Sequence, residues 1–192
     1  MKHQGKQARS KETIQTILAA AGKVLVDHGY EKATTNRIAE RSGYGVGTLY
    51  RYFDNKEDIF AQLVDEAIAG LLDAASDYPV QDTLENSLMH LLNRVAQAMQ
   101  HDPSLIQAVE TLMVGQFRDK REVALESLVG LISGLLEAHR DEIAVDDLTL
   151  AARVIVLATE GLANDRNLGP LNHEELVTQA LRLQVAYLTM GR

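Results

Sequence analysis

The sequence predicts an all-α fold: an N-terminal three-helix helix-turn-helix head followed by a larger helical body, about nine helices in all. Three observations predict it. Apolar residues return every three or four positions along most of the chain, the spacing that gives a helix one buried stripe. No segment alternates convincingly with the period of two that a half-buried strand needs. Helix-stop and helix-start residues, among them Gly29, Ser42-Gly43, Asn55, Asp102-Pro103 and Asp146-Asp147, punctuate the pattern at helical lengths.

Taken in order, residues 1–8 are polar and basic and read as a frayed arm. Residues 10–27 form a helix with Ile14, Ile17, Leu18, Ala21, Val24 and Leu25 on one face, ended by Gly29 in the left-handed cap position. Thr34 caps the next helix, Ile38 and Ala39 face inward, and Ser42-Gly43 stops it. Residues 46–53 are a second short helix, with Leu49 and Phe53 on its buried stripe. Its other side carries Gly47, Thr48, Tyr50, Arg51 and Tyr52. Small residues admit a phosphate, hydroxyls and phenols donate to it, and an arginine reads a guanine edge. Helix, short turn, helix is the geometry that places a second helix in a major groove.

Asn55 opens a helix that is apolar over more than half its circumference, from Ile59 to Leu72, and links head to body. The division expected is residues 1–55 for the helix-turn-helix head and 56–192 for the body. Asp77-Tyr78-Pro79 is a loop, and Asp82-Thr83 opens a helix to about residue 101. Asp102-Pro103 opens another to about 116, and residues 121–140 form the next. Asp146-Asp147 starts a helix that is apolar nearly all round, with Ala151, Ala152, Ala158, Gly161 and Ala163 allowing close approach. After the turn Asn167-Leu168-Gly169-Pro170, Asn172 caps a last helix whose face runs from Leu176 to Leu188. A terminal pair this apolar favours an interface between two copies, over roughly residues 147–190.

Charge divides along the chain. Residues 1–56 hold ten basic against five acidic residues, +5, so the overall −8 leaves −13 on the rest. Only the head attracts phosphate. No apolar run approaches the roughly 18 residues of a membrane span. The polar N-terminus reads without a signal segment and cysteine is absent, so a cytoplasmic protein without disulfides or zinc fingers is expected.

The run Ala-Thr-Thr-Asn-Arg-Ile-Ala-Glu-Arg-Ser-Gly, followed by Val-Gly-Thr-Leu-Tyr-Arg-Tyr-Phe-Asp-Asn-Lys-Glu, resembles the DNA-binding domain of the tetracycline-repressor (TetR) family over roughly residues 9–60. Tyr44 and Gly45 depart from its pattern, standing where valine and a capping serine are usual. The resemblance implies a homodimeric, ligand-responsive transcriptional regulator, most often a repressor. Such a protein binds a palindromic operator in double-stranded DNA and is released by a small-molecule effector. It also implies dimerisation through the last two helices and a backbone-contacting role for Lys56. On this reading Thr34, Thr35, Tyr44, Thr48, Tyr50, Tyr52 and Lys56 hold phosphates; Val46, Gly47 and Arg51 face bases, with Arg37 near the rim.

No catalytic, cofactor or metal motif competes. Gly43, Gly45 and Gly47 follow a helix rather than a strand and lack the lysine-serine ending of a nucleotide loop. The six histidines show no paired spacing, and Asp146-Asp147 and His173-Glu174-Glu175 read as helix-start residues. In the body, His90, Arg94, Glu110, Glu160 and Asn164, with Met89, Met99, Met113 and Phe117, are candidates to line an apolar effector pocket with a few orienting groups. A helical scaffold whose head binds a protein partner, and an activator without a small-molecule effector, remain the alternatives.

Overall fold

The computed structural model describes residues 2–76, 81–98, 102–164 and 173–190. Among these it contains α1 (Lys2–Lys32), α2 (Thr35–Ser42), α3 (Val46–Leu49), α4 (Lys56–Ser76), α5 (Leu84–Ala98), α6 (Pro103–Val114), α7 (Arg118–Ala138), α8 (Leu148–Asn164) and α9 (His173–Thr189), and no strand. The loop at Asp77-Tyr78-Pro79, the end of α5 near His101, the turn Asn167 to Pro170 and the Asn172 cap lie outside the described residues. The chain divides into two compact units: Met1–Ile68 with Asp102–Arg121, and Ala69–His101 with Glu122–Arg192. These are packing units; the expected division at residue 55 is one of role.

In the first unit, α1 starts at Lys2 rather than near residue 10, because Lys6, Gln7, Ala8 and Arg9 favour a helix without needing a buried face. The regular helix breaks at Gly29, whose φ of 70° and ψ of 166° belong to a region that only glycine occupies without strain. The Thr34 hydroxyl accepts the Arg37 N–H at 3.3 Å, and Gly43, at φ 76°, ends α2. The expected helix over 46–53 is shorter. α3 is a single turn, and residues 50–53 continue it as bonded turns, with Tyr50 N–H on the Val46 carbonyl and Phe53 N–H on that of Leu49, both 3.1 Å. Asn55 caps α4 by accepting the Asp58 N–H at 2.8 Å.

Ile17, Leu18, Ile38, Leu49, Ile59 and Phe60 form the centre of this unit, joined by Val109 and Leu112 of α6. Asp102 caps α6 by accepting the Leu105 N–H at 3.0 Å, and Pro103 occupies the first helical turn. α6 lies close on α1: a Cβ at Gly22 would stand 2.9 Å from Leu105 Cδ1. Lys120 adds an ion pair to Asp65 at 2.6 Å.

The second unit is centred on Leu84, Leu88, Leu135, Leu136, Ala151, Ala152 and Leu188. α7 starts at Arg118 and stops at Ala138, three residues earlier than expected at its start and two at its end. A 3-10 turn, Arg140–Glu142, follows it. Asp147 caps α8, accepting the Leu150 N–H at 2.9 Å. Within the unit, Ser87 Oγ lies 2.8 Å from His139 Nε2, and His139 Nδ1 lies 2.8 Å from Glu142 Oε1. The Glu142 carboxylate accepts the Leu84 N–H at 2.9 and 3.1 Å. Hydroxyl, imidazole and carboxylate in series is the arrangement of a nucleophilic enzyme. Here Ser87 is wholly buried and its Oγ accepts the Gln81 N–H at 2.9 Å, so the trio works as a clamp on the first turn of α5.

Candidate nucleic-acid interface

The first unit collects on α2, α3 and the start of α4 the groups expected to meet DNA. Leu49 and Phe53 are buried, which turns Gly47, Tyr50 and Arg51 outward; Tyr50 is 51% exposed. Gly47 faces open space, so nothing of the protein hinders a close approach there. Val46 and Tyr44 are half-buried and pack against the core, while Thr48 is half-buried beside them. The Tyr44 N–H donates to the Ser42 hydroxyl at 3.3 Å.

Several of these side chains are held before any ligand arrives. The Thr35 and Tyr50 hydroxyls lie 3.2 Å apart, tying the start of α2 to the end of α3. The Tyr52 hydroxyl lies 3.4 Å from Ser10 of α1, and this hydrogen bond pulls the phenol below its ordinary pKa, with Thr13 and the Arg51 charge acting the same way. Lys56 donates to the Tyr30 carbonyl at 3.0 Å and sits 4.2 Å from the centre of the Tyr30 ring.

The arginines divide by what they touch. Arg37 donates to the Lys32 carbonyl at the end of α1, at 2.5 Å. Arg41 pairs with Asp27 at 2.5 Å. Arg51 lies 5.9 Å over the Tyr52 ring, a contact that orients its guanidinium while leaving the N–H fork open to an acceptor. Stacked and exposed, it presents a planar fork of donors to solvent. Sequence reasoning missed Ser10, Asp27 and Tyr30, which sit 42, 14 and 26 positions from the side chains they hold. No local pattern marks a partner at that distance.

The residues expected to line an effector pocket fall in both units. Glu110, Met113 and Phe117 belong to the first, where Met113 and Phe117 pack against the core. Met89, His90, Arg94 and Glu160 belong to the second, with Met89 exposed and the other three half-buried. Met99 and the Asn164 side chain lie outside what is described. An open groove of about 620 Å³ in the second unit is lined instead by Ala69, Leu72, Asp73, Ser76, Ser127, Gly130 and Leu131. Among the described residues no group of three or more His, Cys, Asp or Glu side chains could hold a metal ion, and no helix is long and apolar enough to cross a membrane.

The family model described as bacterial regulatory proteins, tetR family, matches residues 17–63, the segment from the middle of α1 into α4. The chain is 30% identical over 149 residues to the HTH-type transcriptional repressor KstR of Rhodococcus jostii, an alignment covering 77% of this chain and 67% of that protein. Its fold is similar to that of the fatty acid degradation regulator FadR from Bacillus halodurans, with a TM-score of 0.77, 25% identity, and coverage of 90% of this chain and 94% of the other. FadR from Bacillus subtilis, solved in complex with stearoyl-CoA, matches with a TM-score of 0.74 and 23% identity, over 91% of this chain and 98% of that one. The match to the family model, and the 30% identity to a repressor over two thirds of its length, show that the chain belongs to the TetR family of DNA-binding transcriptional regulators and is not an enzyme.

Proposed function

We propose that the chain is a homodimeric repressor that binds a palindromic operator and leaves it when a small-molecule effector binds the body. The observation that carries the DNA-reading part is Arg51, stacked on Tyr52 and exposed where a base edge would lie, with Thr34, Thr35, Tyr50, Tyr52 and Lys56 around it for phosphates. Dimerisation is supported by a face that α8 and α9 leave uncovered. Leu150, Val154 and Leu157 are 55%, 40% and 48% exposed, as are Leu183 and Met190 at 47% and 76%. The spacing of Leu150, Val154 and Leu157 at i, i+4 and i+7 puts them on one stripe of α8, and Leu183 of α9 and Met190 just beyond it stand seven apart, the form of a helix pair that packs on a copy of itself. Two heads then read two half-sites.

For the effector, the same reading takes a long-chain acyl thioester. The relative bound to stearoyl-CoA and the other fatty acid regulator support that class, and Ala69, Leu72 and Leu131 give the open groove of the second unit an apolar lining for an acyl chain. Release requires that the effector prefer the DNA-incompetent state, and a hundredfold loss of operator affinity corresponds to about 2.7 kcal/mol of coupling. The test is to select bound genomic fragments with the purified chain, then to measure affinity for the winning fragment with stearoyl-CoA, stearate or coenzyme A added. Loss of affinity with stearoyl-CoA alone supports the proposal; unchanged affinity with all three removes this effector class.

A further inference from the structure

We propose that Tyr30, at the turn between α1 and α2, is a positioning residue that holds the Lys56 ammonium at the DNA backbone. The inference rests on the reading of this head as a DNA binder, and adds a residue that touches no DNA itself. Lys56 is the first residue of α4, where the partial positive charge of the helix end opposes an ammonium. Two features of Tyr30 offset that opposition: its carbonyl accepts from Nζ at 3.0 Å, and its ring face lies 4.2 Å from Nζ. The ring is itself fixed from two sides. It stands edge-on to buried Phe60 at 5.3 Å between centroids, and its hydroxyl donates to Glu57 at 3.3 Å. An ammonium has three N–H donors. One is taken by the carbonyl, the ring covers one side, and half-buried Lys56 keeps a donor for a phosphate oxygen without having to be ordered on binding.

The test uses the full chain and a random-sequence 30-base-pair duplex, because a backbone contact weakens every sequence alike. Affinity is measured across a salt series for the wild type, Lys56→Gln, Tyr30→Leu, Tyr30→Phe and the Lys56→Gln/Tyr30→Leu double variant. Each lysine lost from the backbone lowers the slope of log affinity against log salt by about 0.9. The expected result is the same reduced slope for Lys56→Gln and Tyr30→Leu, no further reduction in the double variant, and a wild-type slope for Tyr30→Phe, which keeps the ring; the backbone carbonyl is present in every variant, so the series isolates the ring. Tyr30 also packs on Phe60, so Tyr30→Leu can lose the fold, which circular dichroism reports. The wild-type protein then decides by NMR: the Lys56 ε-methylene protons, shifted upfield by the ring, keep that shift when the duplex is added. A wild-type slope in Tyr30→Leu, or loss of the ring shift on binding, overturns the positioning role of the Tyr30 side chain. A wild type that binds no duplex overturns the DNA-binding reading beneath it, a separate outcome.

Discussion

Arg37, Arg41 and Arg51 of the head carry the same charge in different surroundings. Arg37 is held by a backbone carbonyl and Arg41 by a half-exposed aspartate, whereas Arg51 has an aromatic face beneath it and solvent in front. Arg51→Ala should therefore lose about 1–3 kcal/mol of discrimination between operator and random DNA. Competition binding with both duplexes checks it; an equal fall for the two would assign Arg51 to the backbone instead. Arg41→Ala, which breaks an exposed pair, should change stability by no more than about 1 kcal/mol. The buried imidazole behaves otherwise. His139→Ala strips buried Ser87 of its imidazole partner and half-buried Glu142 of one contact, and leaving the one buried group unsatisfied costs about 1–3 kcal/mol. Urea unfolding should show the lower midpoint, with no change in the DNA-reading residues.

Among the elements, those whose ends are decided locally were legible in the sequence. Thr34, Asn55, Asp102 and Asp147 each accept the amide three residues on, as their positions before an apolar run predict. Asp102→Ala should cost about 1 kcal/mol in thermal or urea unfolding, since α6 has no other side-chain bond at its start among those described. Gly29 was legible as a positive-φ break but not in its form, since its ψ of 166° lies outside the left-handed cap region expected; Gly29→Ala should cost at least about 1 kcal/mol in the same measurement. Elements fixed by distant groups were not legible. The first turn of α5 is closed by Glu142, 58 positions away, and nothing near Leu84 announces it. The shortness of α3 was equally hidden: the sequence spacing of Leu49 and Phe53 suits a helix and a run of tight turns alike. For the site, the side chains could be read but their supports could not. A phenol or arginine advertises its chemistry in one letter, and Ser10 or Tyr30 becomes informative only once the chain has folded.

At the scale of the molecule, the exposed stripe on α8 and α9 makes a prediction about assembly. Leu157→Glu places a charge in the centre of the proposed dimer face, and sedimentation should then find monomers where the wild type is a dimer. Operator affinity should collapse with it, since one head alone reads half a site. A dimeric Leu157→Glu variant would move the interface elsewhere. The opposed charges of residues 1–56 and 57–192, +5 and −13, further predict that binding tightens as salt is lowered, with the acidic segment repelled from the duplex.

The first compact unit is assembled from two stretches of chain, with α6 laid over α1 at Gly22. A ribosome must therefore synthesise residue 121 before the reading head has its full cover, however early its own helices emerge. Transplanting the head into another regulator by cutting after residue 68 leaves Val24 and its neighbours without Val109 and Leu112. Such a graft should be a loose, aggregation-prone bundle, and a graft that carries residues 102–121 as a tethered strap should not.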